Sequence, residues 1–417
     1  MVIWYINHYA KPSPFGTPGR AFYLSKALAS FGHEILIICA SNHHTRLRPA
    51  PFEDIDRIHS YDGINYYHIR TRPYQGNGMV RILNMLDFSW GVAQMTKKIE
   101  EGSMACPDVV IPSCAHIFLY LPARWIAKKF NARLIYEVRD IWPLSLIEIV
   151  GLSKWHPLVM VMSFIEKNAY KKADAVVSLL PKAFEHMEAK GLDPLKFHYI
   201  TNGVNANEWK APHHDLPGEH QKVFNWARKN GKFIIVYAGA HGPPNALEQV
   251  LDLKKVLGDI QAPYHFIFIG DGSSKRNLKD RVQRERIDFI SFLPRVPKSQ
   301  IFSAMMQTDA CFIGWQKKKI YQYGISPNKL GDYFMAGKPV IHAVQAGNDP
   351  VAESGAGITV EPYNPVQLDQ ALRQLIAMDS EEYKRMGETG KKYALENLEW
   401  SVLGKRYAEL CEKLVRK

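Results

Sequence analysis

The sequence predicts an α/β protein built of two doubly wound domains. Three observations lead there. The chain has 417 residues, too many for one typical core, so two domains of about 200 residues each is the natural division. An apolar strand, a Gly/Pro-rich loop and an amphipathic helix open the chain, and the same order returns at Lys232. Between and after these openings, short apolar runs alternate with helical periodicity, the pattern of sheets covered by helices on both faces. Such domains bind ligands at the carboxyl ends of their strands, and two of them facing each other bring both sets of ends to one cleft.

Val2–Ile6 reads as the first strand, His8–Gly19 as a loop dense in Gly and Pro, Arg20–Phe31 as a helix with Ala21, Leu24 and Leu28 on one face, and Ile35–Cys39 as the second strand. No G-x-G-x-x-G follows the first strand, which argues against a dinucleotide site. Tyr61–Asp62–Gly63 is a turn signal before the strand Ile64–Arg70, and Gly78–Glu100 is helical. Asp108–Ile111 is a strand that Pro112–His116 ends in a turn. His116, just past a strand end, either orients a ligand hydroxyl or a developing charge, or is an ordinary loop histidine. Arg133–Glu137 is a strand followed by Arg139 and Asp140, which either reach solvent or pair with each other. Leu144–Phe164 is the most apolar segment outside the strands, with Trp155 and lysines around it. It is either core helix or an interfacial segment meeting anionic lipid.

Ala175–Ser178 is a strand, Lys182–Lys190 a helix, and Asn202–Gly203–Val204 a turn. Asn207–Gly231 is polar, carries Pro212, His213, His214, Pro217 and Gly218, and reads as an interdomain linker with solvated histidines. Domain boundaries follow: 1–205 with a C-terminal helix at about 399–417, and 206–398. Lys232–Tyr237 is a strand, Ala238–Gly242 a glycine loop and Asn245–Leu257 a helix, so Gly239 and His241 stand where phosphates bind. His265–Ile269 ends in Gly270–Asp271–Gly272, and Asp288–Phe292 ends before Arg295, which either reaches a diphosphate or lies on the surface. The lysine trio Lys317–Lys319 precedes the most informative stretch, Gly324–Ile341. There Ser326 caps a helix, Pro327 fits its first turn, and Lys329–Ala336 carry Leu330, Tyr333 and Phe334 on one face. A loop opening a helix aims free amides at one point, Lys329 adds a cation, and Asp332 lies one turn on, an acceptor for a diol. The set suits a nucleoside diphosphate. Gly337 stops the helix, and the strand Val340–Ile341 follows. Glu399–Lys417 is a last amphipathic helix.

A net charge of +12 favours an anionic partner. The basic residues are spread along the chain without an aromatic–basic module, which argues against nucleic acid. The five cysteines are scattered with no metal spacing, as in a reduced, cytoplasmic protein. The N-terminus lacks the basic region and cleavage site of a signal peptide, and no apolar run spans a bilayer.

The run S-P-N-K-L-G-D-Y-F-M-A-G-K-P-V-I at Ser326–Ile341 resembles the nucleotide-sugar signature of retaining GT-B glycosyltransferases, of the group 1, family 4 type that builds bacterial surface polysaccharides. G-T-P-G-R-A-F-Y-L at Gly16–Leu24, R-D-I-W-P at Arg139–Pro143 and N-G-V at Asn202–Val204 are similar to further motifs of that class. The resemblance implies a GT-B fold, two Rossmann-like domains across a cleft, with a terminal helix returning to the first. It implies donor contacts from Gly16, Gly19, Gly239, His241, Gly270, Arg295 and Ser326 through Leu330, including Pro327 and Asn328, with Asp332 on the ribose. Two departures stand out. The first of the class's two acidic residues falls on Gly324, and Ala240 takes the place of an arginine that contacts phosphate. Lys329 and loop amides are then left as the main diphosphate holders.

By resemblance the reaction moves a sugar from a nucleoside diphosphate sugar, UDP-linked, to an acceptor hydroxyl with retention. Lys329 meets the leaving diphosphate, while Asp140 and His116 position acceptor or sugar. No D-x-D signature lies at a strand end, so no obligatory metal or other cofactor is expected. The acceptor expected from the apolar–basic segment is a lipid-linked saccharide at the inner face of the plasma membrane. A sugar-nucleotide epimerase of similar two-domain build is the alternative. It would turn over the donor with no acceptor present.

Overall fold

The structure is a computed structural model that describes residues 1–76, 78–211 and 214–416. Pro212 and His213, read above as linker, lie outside them. The chain divides into two α/β units. The first comprises Met1–Asn202, the tetrapeptide Tyr323–Ser326 and the C-terminal helix Trp400–Arg416; the second comprises Gly203–Gln322 and Pro327–Glu399.

The first unit holds strands β1 (Val2–Ile6), β2 (Glu34–Ala40), β3 (Ile58–Tyr61), β4 (Ile64–Ile69), β5 (Val109–Cys114), β6 (Arg133–Val138), β7 (Ala175–Ser178) and β8 (Phe197–Tyr199). They form one eight-stranded sheet in the order β3-β4-β2-β1-β5-β6-β7-β8. All pairs are parallel except β3–β4, a hairpin turned at Asp62 and Gly63 with φ of 52° and 79°. Two positive φ values are what a twisted hairpin turn demands, and Asp-Gly supplies them. The sequence order of strands reverses between β1 and β5, so the loops after these two strands flank the crevice of this sheet.

Pro112 does not end β5. It pairs with Ile6 of β1 inside the strand, and the ladder to β6 skips Ile111 and Pro112, the latter having no N–H to donate. Beside it lies a buried polar knot. Glu137 of β6 accepts from Tyr5 at 2.6 Å, Ser113 at 2.7 Å and the Arg20 guanidinium at 2.8 and 3.1 Å. Arg20 opens the helix Arg20–Ser30 but turns inward, also donating to the carbonyls of Ile200 and Thr201. The terminal helix packs on that same helix. Trp400 stacks on Tyr23, and a Cβ on Gly404 would lie 2.4 Å from the Ala27 Cβ, so only glycine permits the approach.

The second unit holds β9 (Phe233–Ala238), β10 (Tyr264–Ile269), β11 (Ile290–Leu293), β12 (Ala310–Gly314), β13 (Val340–Ala343) and β14 (Gly357–Val360), parallel throughout in the order β11-β10-β9-β12-β13-β14. Here the order reverses between β9 and β12. The sequence misplaces two parts of this unit. Asn207–Gly231 is not a linker: Gly218–Lys229 is a helix that buries His220, Phe224 and Ala227, a stripe too narrow to show in a polar composition. The expected helix Asn245–Leu257 is broken. Pro243–Asn245 form a 3₁₀ turn, Ala246 takes φ 45°, and only short helices Glu248–Leu251 and Leu253–Leu257 follow.

Candidate active site

The crevice of the second unit is built from main chain packed against main chain. Gly239 follows β9 and Gly270 follows β10, with φ of 154° and 149°. A Cβ on Gly270 would stand 1.9 Å from the Gly239 carbonyl oxygen, and one on Gly272 would stand 2.5 Å from the His241 carbonyl. A side chain at either position would push the loops apart. His241 itself is buried, and neither ring nitrogen has a partner. Burial, then the Lys275 ammonium, hold its pKa down at about 4. It is therefore neutral in the free protein, and it does not replace the charge of an arginine; it offers one N–H. Lys275, not singled out from the sequence, is bound to the carbonyls of Gly270 and Leu293 at 2.6 and 3.2 Å.

Helix Asn328–Met335 enters this crevice from the β12–β13 connection. Tyr333 is fully buried and accepts from the Ala238 amide at 2.9 Å, which docks the helix on the end of β9. Leu330 is a core residue, and its amide bonds to the Pro327 carbonyl, so it presents nothing to a ligand. Lys329 points the other way. Its ammonium lies 4.1 Å from the Tyr237 ring centroid and donates to Tyr237 Oη at 2.8 Å and Asn245 Oδ1 at 2.9 Å. Gly239 lies beside it; a Cβ there would sit 3.1 Å from Nζ. Burial lowers the Lys329 pKa to about 7, and all its polar partners are neutral. Tyr237 and Asn245 were not legible as site residues because the contact joins positions far apart in the chain.

Asp332, one turn along, faces a different set. It accepts from Trp209 Nε1 at 3.4 Å and lies 3.5 Å from the Lys298 ammonium, which also pairs with Glu208 at 2.8 Å. Burial raises its pKa and Lys298 opposes that rise. Ser326 is not the helix cap. Pro327 takes that position with no side-chain cap, and Ser326 instead bonds within the first unit, its Oγ 2.7 Å from Thr201 Oγ1 and 3.0 Å from the Asn202 amide. Gly324 has φ 109°, a conformation that a carboxylate-bearing residue rarely adopts. Arg295 is exposed in the turn after β11.

In the first unit, His8 follows β1 and His116 follows β5, and they meet where the strand order reverses, His8 Nδ1 to His116 Nε2 at 3.0 Å. Both are buried. Gly19 is the N-cap of helix Arg20–Ser30, and Gly16 has φ 144°, a conformation that residues with a Cβ rarely adopt. Asp140 is exposed directly after β6. All five cysteines are free, Cys106 exposed and the others buried. Among the described residues no group of His, Cys, Asp or Glu could hold a metal ion.

Residues 16–203 match the family model described as glycosyl transferase 4-like domain, and residues 219–393 match that of glycosyl transferases group 1. The chain belongs to the group 1 glycosyltransferases. The fold agrees. Sucrose-phosphate synthase from Thermosynechococcus elongatus is similar to this glycosyltransferase with a TM-score of 0.73 at 14% identity, over 100% of this chain and 99% of that one. Anabaena HepE in complex with UDP and glucose gives 0.67 at 15% identity, over 99% and 100%. WaaG, a glycosyltransferase involved in lipopolysaccharide biosynthesis, gives 0.63 at 12%, over 99% of each chain. Similarity to curated proteins is local: an adenine deaminase of Pseudomonas putida is 32% identical over 84 residues, 19% of this chain. The glycosyltransferase spans about a quarter of the length of such curated relatives, 25%.

Proposed function

We propose that this glycosyltransferase moves a sugar from a UDP-sugar to a hydroxyl of a lipid-linked saccharide, with retention of configuration, in the synthesis of a bacterial surface polysaccharide. The observation that carries the reading is Lys329. Its ammonium is desolvated at the switch point of the second sheet, with Gly239 beside it, and donates to a tyrosine hydroxyl and an asparagine carbonyl. Neutral partners leave the charge of the protonated ammonium uncompensated and available to a diphosphate, whose binding favours the protonated form.

As the glycosidic bond breaks, the leaving diphosphate gains charge. A cation already held in a water-poor site stabilises that charge without reorganising. Lys329 supplies it, with the ring N–H of His241 nearby, and no metal is required in this scheme. Asp332 takes the ribose hydroxyls, and Trp209 and Lys298 hold its carboxylate. His116 and Asp140 position the sugar and the acceptor, and the leaving phosphate takes the acceptor proton on the same face. HepE, which shares the fold, has been seen with UDP and glucose, which favours UDP as the leaving group here.

An exposed apolar face supports the lipid-linked acceptor. Helix Pro157–Lys172 buries Val159, Met162 and Ile165 yet exposes Met160, Val161 and, at 72%, Phe164; Trp155 before it is 71% exposed under the Lys154 ammonium. The segment is thus core on one side only. No helix among the described residues is long and apolar enough to cross a membrane, so contact would be peripheral.

Thermal melting with UDP tests the donor site. UDP should raise the melting temperature of the native protein. Lys329→Ala should weaken UDP at least about tenfold, the worth of one charge-assisted contact. Equal shifts in both proteins would reject the assignment.

A further inference from the structure

A hydrogen-bond chain ends on His116, and its direction can be read atom by atom. Asn84, buried in helix Met79–Glu100, gives its Nδ2 to the carbonyls of Arg72 at 2.6 Å and Asn42 at 3.2 Å. Two acceptors on one side fix the amide, so Oδ1 faces His8. An oxygen only accepts, and therefore His8 Nε2, 2.8 Å away, carries the hydrogen. Burial, then the neighbouring His116 and His43 rings and Arg81, hold His8 neutral. A neutral imidazole has one N–H, so His8 Nδ1 is a lone pair. It faces His116 Nε2 at 3.0 Å, which must then donate. Burial and the Arg81 guanidinium hold His116 neutral in turn, its pKa lowered to about 3. What remains is His116 Nδ1, a bare lone pair on a side chain 1% exposed, with no partner. Phe88 and Phe118 pack on the ring and offer it no hydrogen.

We propose that His8 and Asn84 are positioning residues that lock His116 in its Nε2–H tautomer, so that Nδ1 accepts a hydrogen bond from a sugar hydroxyl and donates none. The role of the hydroxyl rests on the functional reading above; the tautomer does not. A leaving phosphate carries only acceptor oxygens and gains nothing from this nitrogen. Of the two tasks a histidine at this strand end can serve, holding a hydroxyl or meeting a developing negative charge, the network selects the first.

The 417-residue chain labelled with ¹⁵N-histidine tests this by long-range proton–nitrogen correlation at neutral pH, with His116→Gln used to assign the signals. We expect unprotonated Nδ1 and protonated Nε2 on His116. Asn84→Leu should mix the two forms and lower kcat at least about tenfold. Protonated Nδ1 in the unmodified protein overturns the proposal, and so does an Asn84→Leu protein that melts normally and keeps the same tautomer. UDP-glucose and UDP-N-acetylglucosamine are then added. With either one bound, as judged by melting, the Nδ1 resonance should move; an unmoved resonance overturns the hydroxyl contact. Absence of binding by both, with the tautomer as stated, overturns the donor reading instead.

Discussion

At the scale of single residues, Lys329 sets the strongest expectation. Its folded pKa of about 7 lies below that of a lysine in the unfolded chain. Between those two values the unfolded chain binds more protons, so this group's contribution to stability rises with pH across that window. Below about 7 the cost of burying the charge is present in full. A bound diphosphate reverses the shift, because an anion favours the charged form. UDP binding at pH 8 should therefore take up about one proton. Calorimetry in buffers of different ionisation enthalpy measures it, and Lys329→Arg, charged throughout, should bind without uptake. Uptake that persists in Lys329→Arg would place the titrating group elsewhere.

At the scale of elements, the loops after β9 and β10 owe their shape to glycine. The Gly239 carbonyl occupies the place where a Gly270 side chain would begin, and Gly270 has positive φ as well. Gly270→Ala should cost about 3 kcal/mol or more, since strain and overlap act together. The measurement is a lowered midpoint in urea, accompanied by weaker UDP binding because His241 rides on the same loops. An unchanged midpoint would mean the loops relax freely. The contrast with Gly19, which has open space around its Cβ position, is a useful control: Gly19→Ala meets no atom within 4 Å. A glycine in a loop is readable in a sequence; whether it is there for a turn or for a close approach is not.

At the scale of the whole molecule, the basic balance and the half-covered helix Pro157–Lys172 belong together. An apolar face flanked by lysines binds anionic bilayers through both terms. The protein should float with vesicles containing phosphatidylglycerol at low salt, and Trp155→Ser with Phe164→Ser should reduce the bound fraction about tenfold or more, each aromatic contributing on the scale of a buried side chain. Melting of the double variant should stay close to that of the parent, because both side chains are exposed. A double variant that floats equally well would assign the face to something other than lipid.

Local signals carried most of the elements. Strands β1, β2, β6, β9 and β10 are apolar runs bounded by turn residues, and the helix Arg20–Ser30 shows its face in the chain itself. The stretch Ser326–Ile341 suggested a nucleotide site because a helix start, a lysine and an aspartate fall within one turn of each other, and local chemistry of that kind is written in sequence. Pairings between distant residues are not. Arg20 read only as the first residue of a helix and is also the counterion of Glu137; Ser326 looked like a cap and is instead bound to Thr201 and Asn202. The partners of Lys329, the order of strands that creates each crevice, and the direction of the His116 network come from chain segments tens of residues apart. Hydrogen bonds between them form only once parallel strands have set the register, and no periodicity in the sequence records that register. The sequence by itself therefore determined the fold class and the expectation of an anionic ligand, while tertiary structure alone decided which groups are charged, neutral or free to meet one.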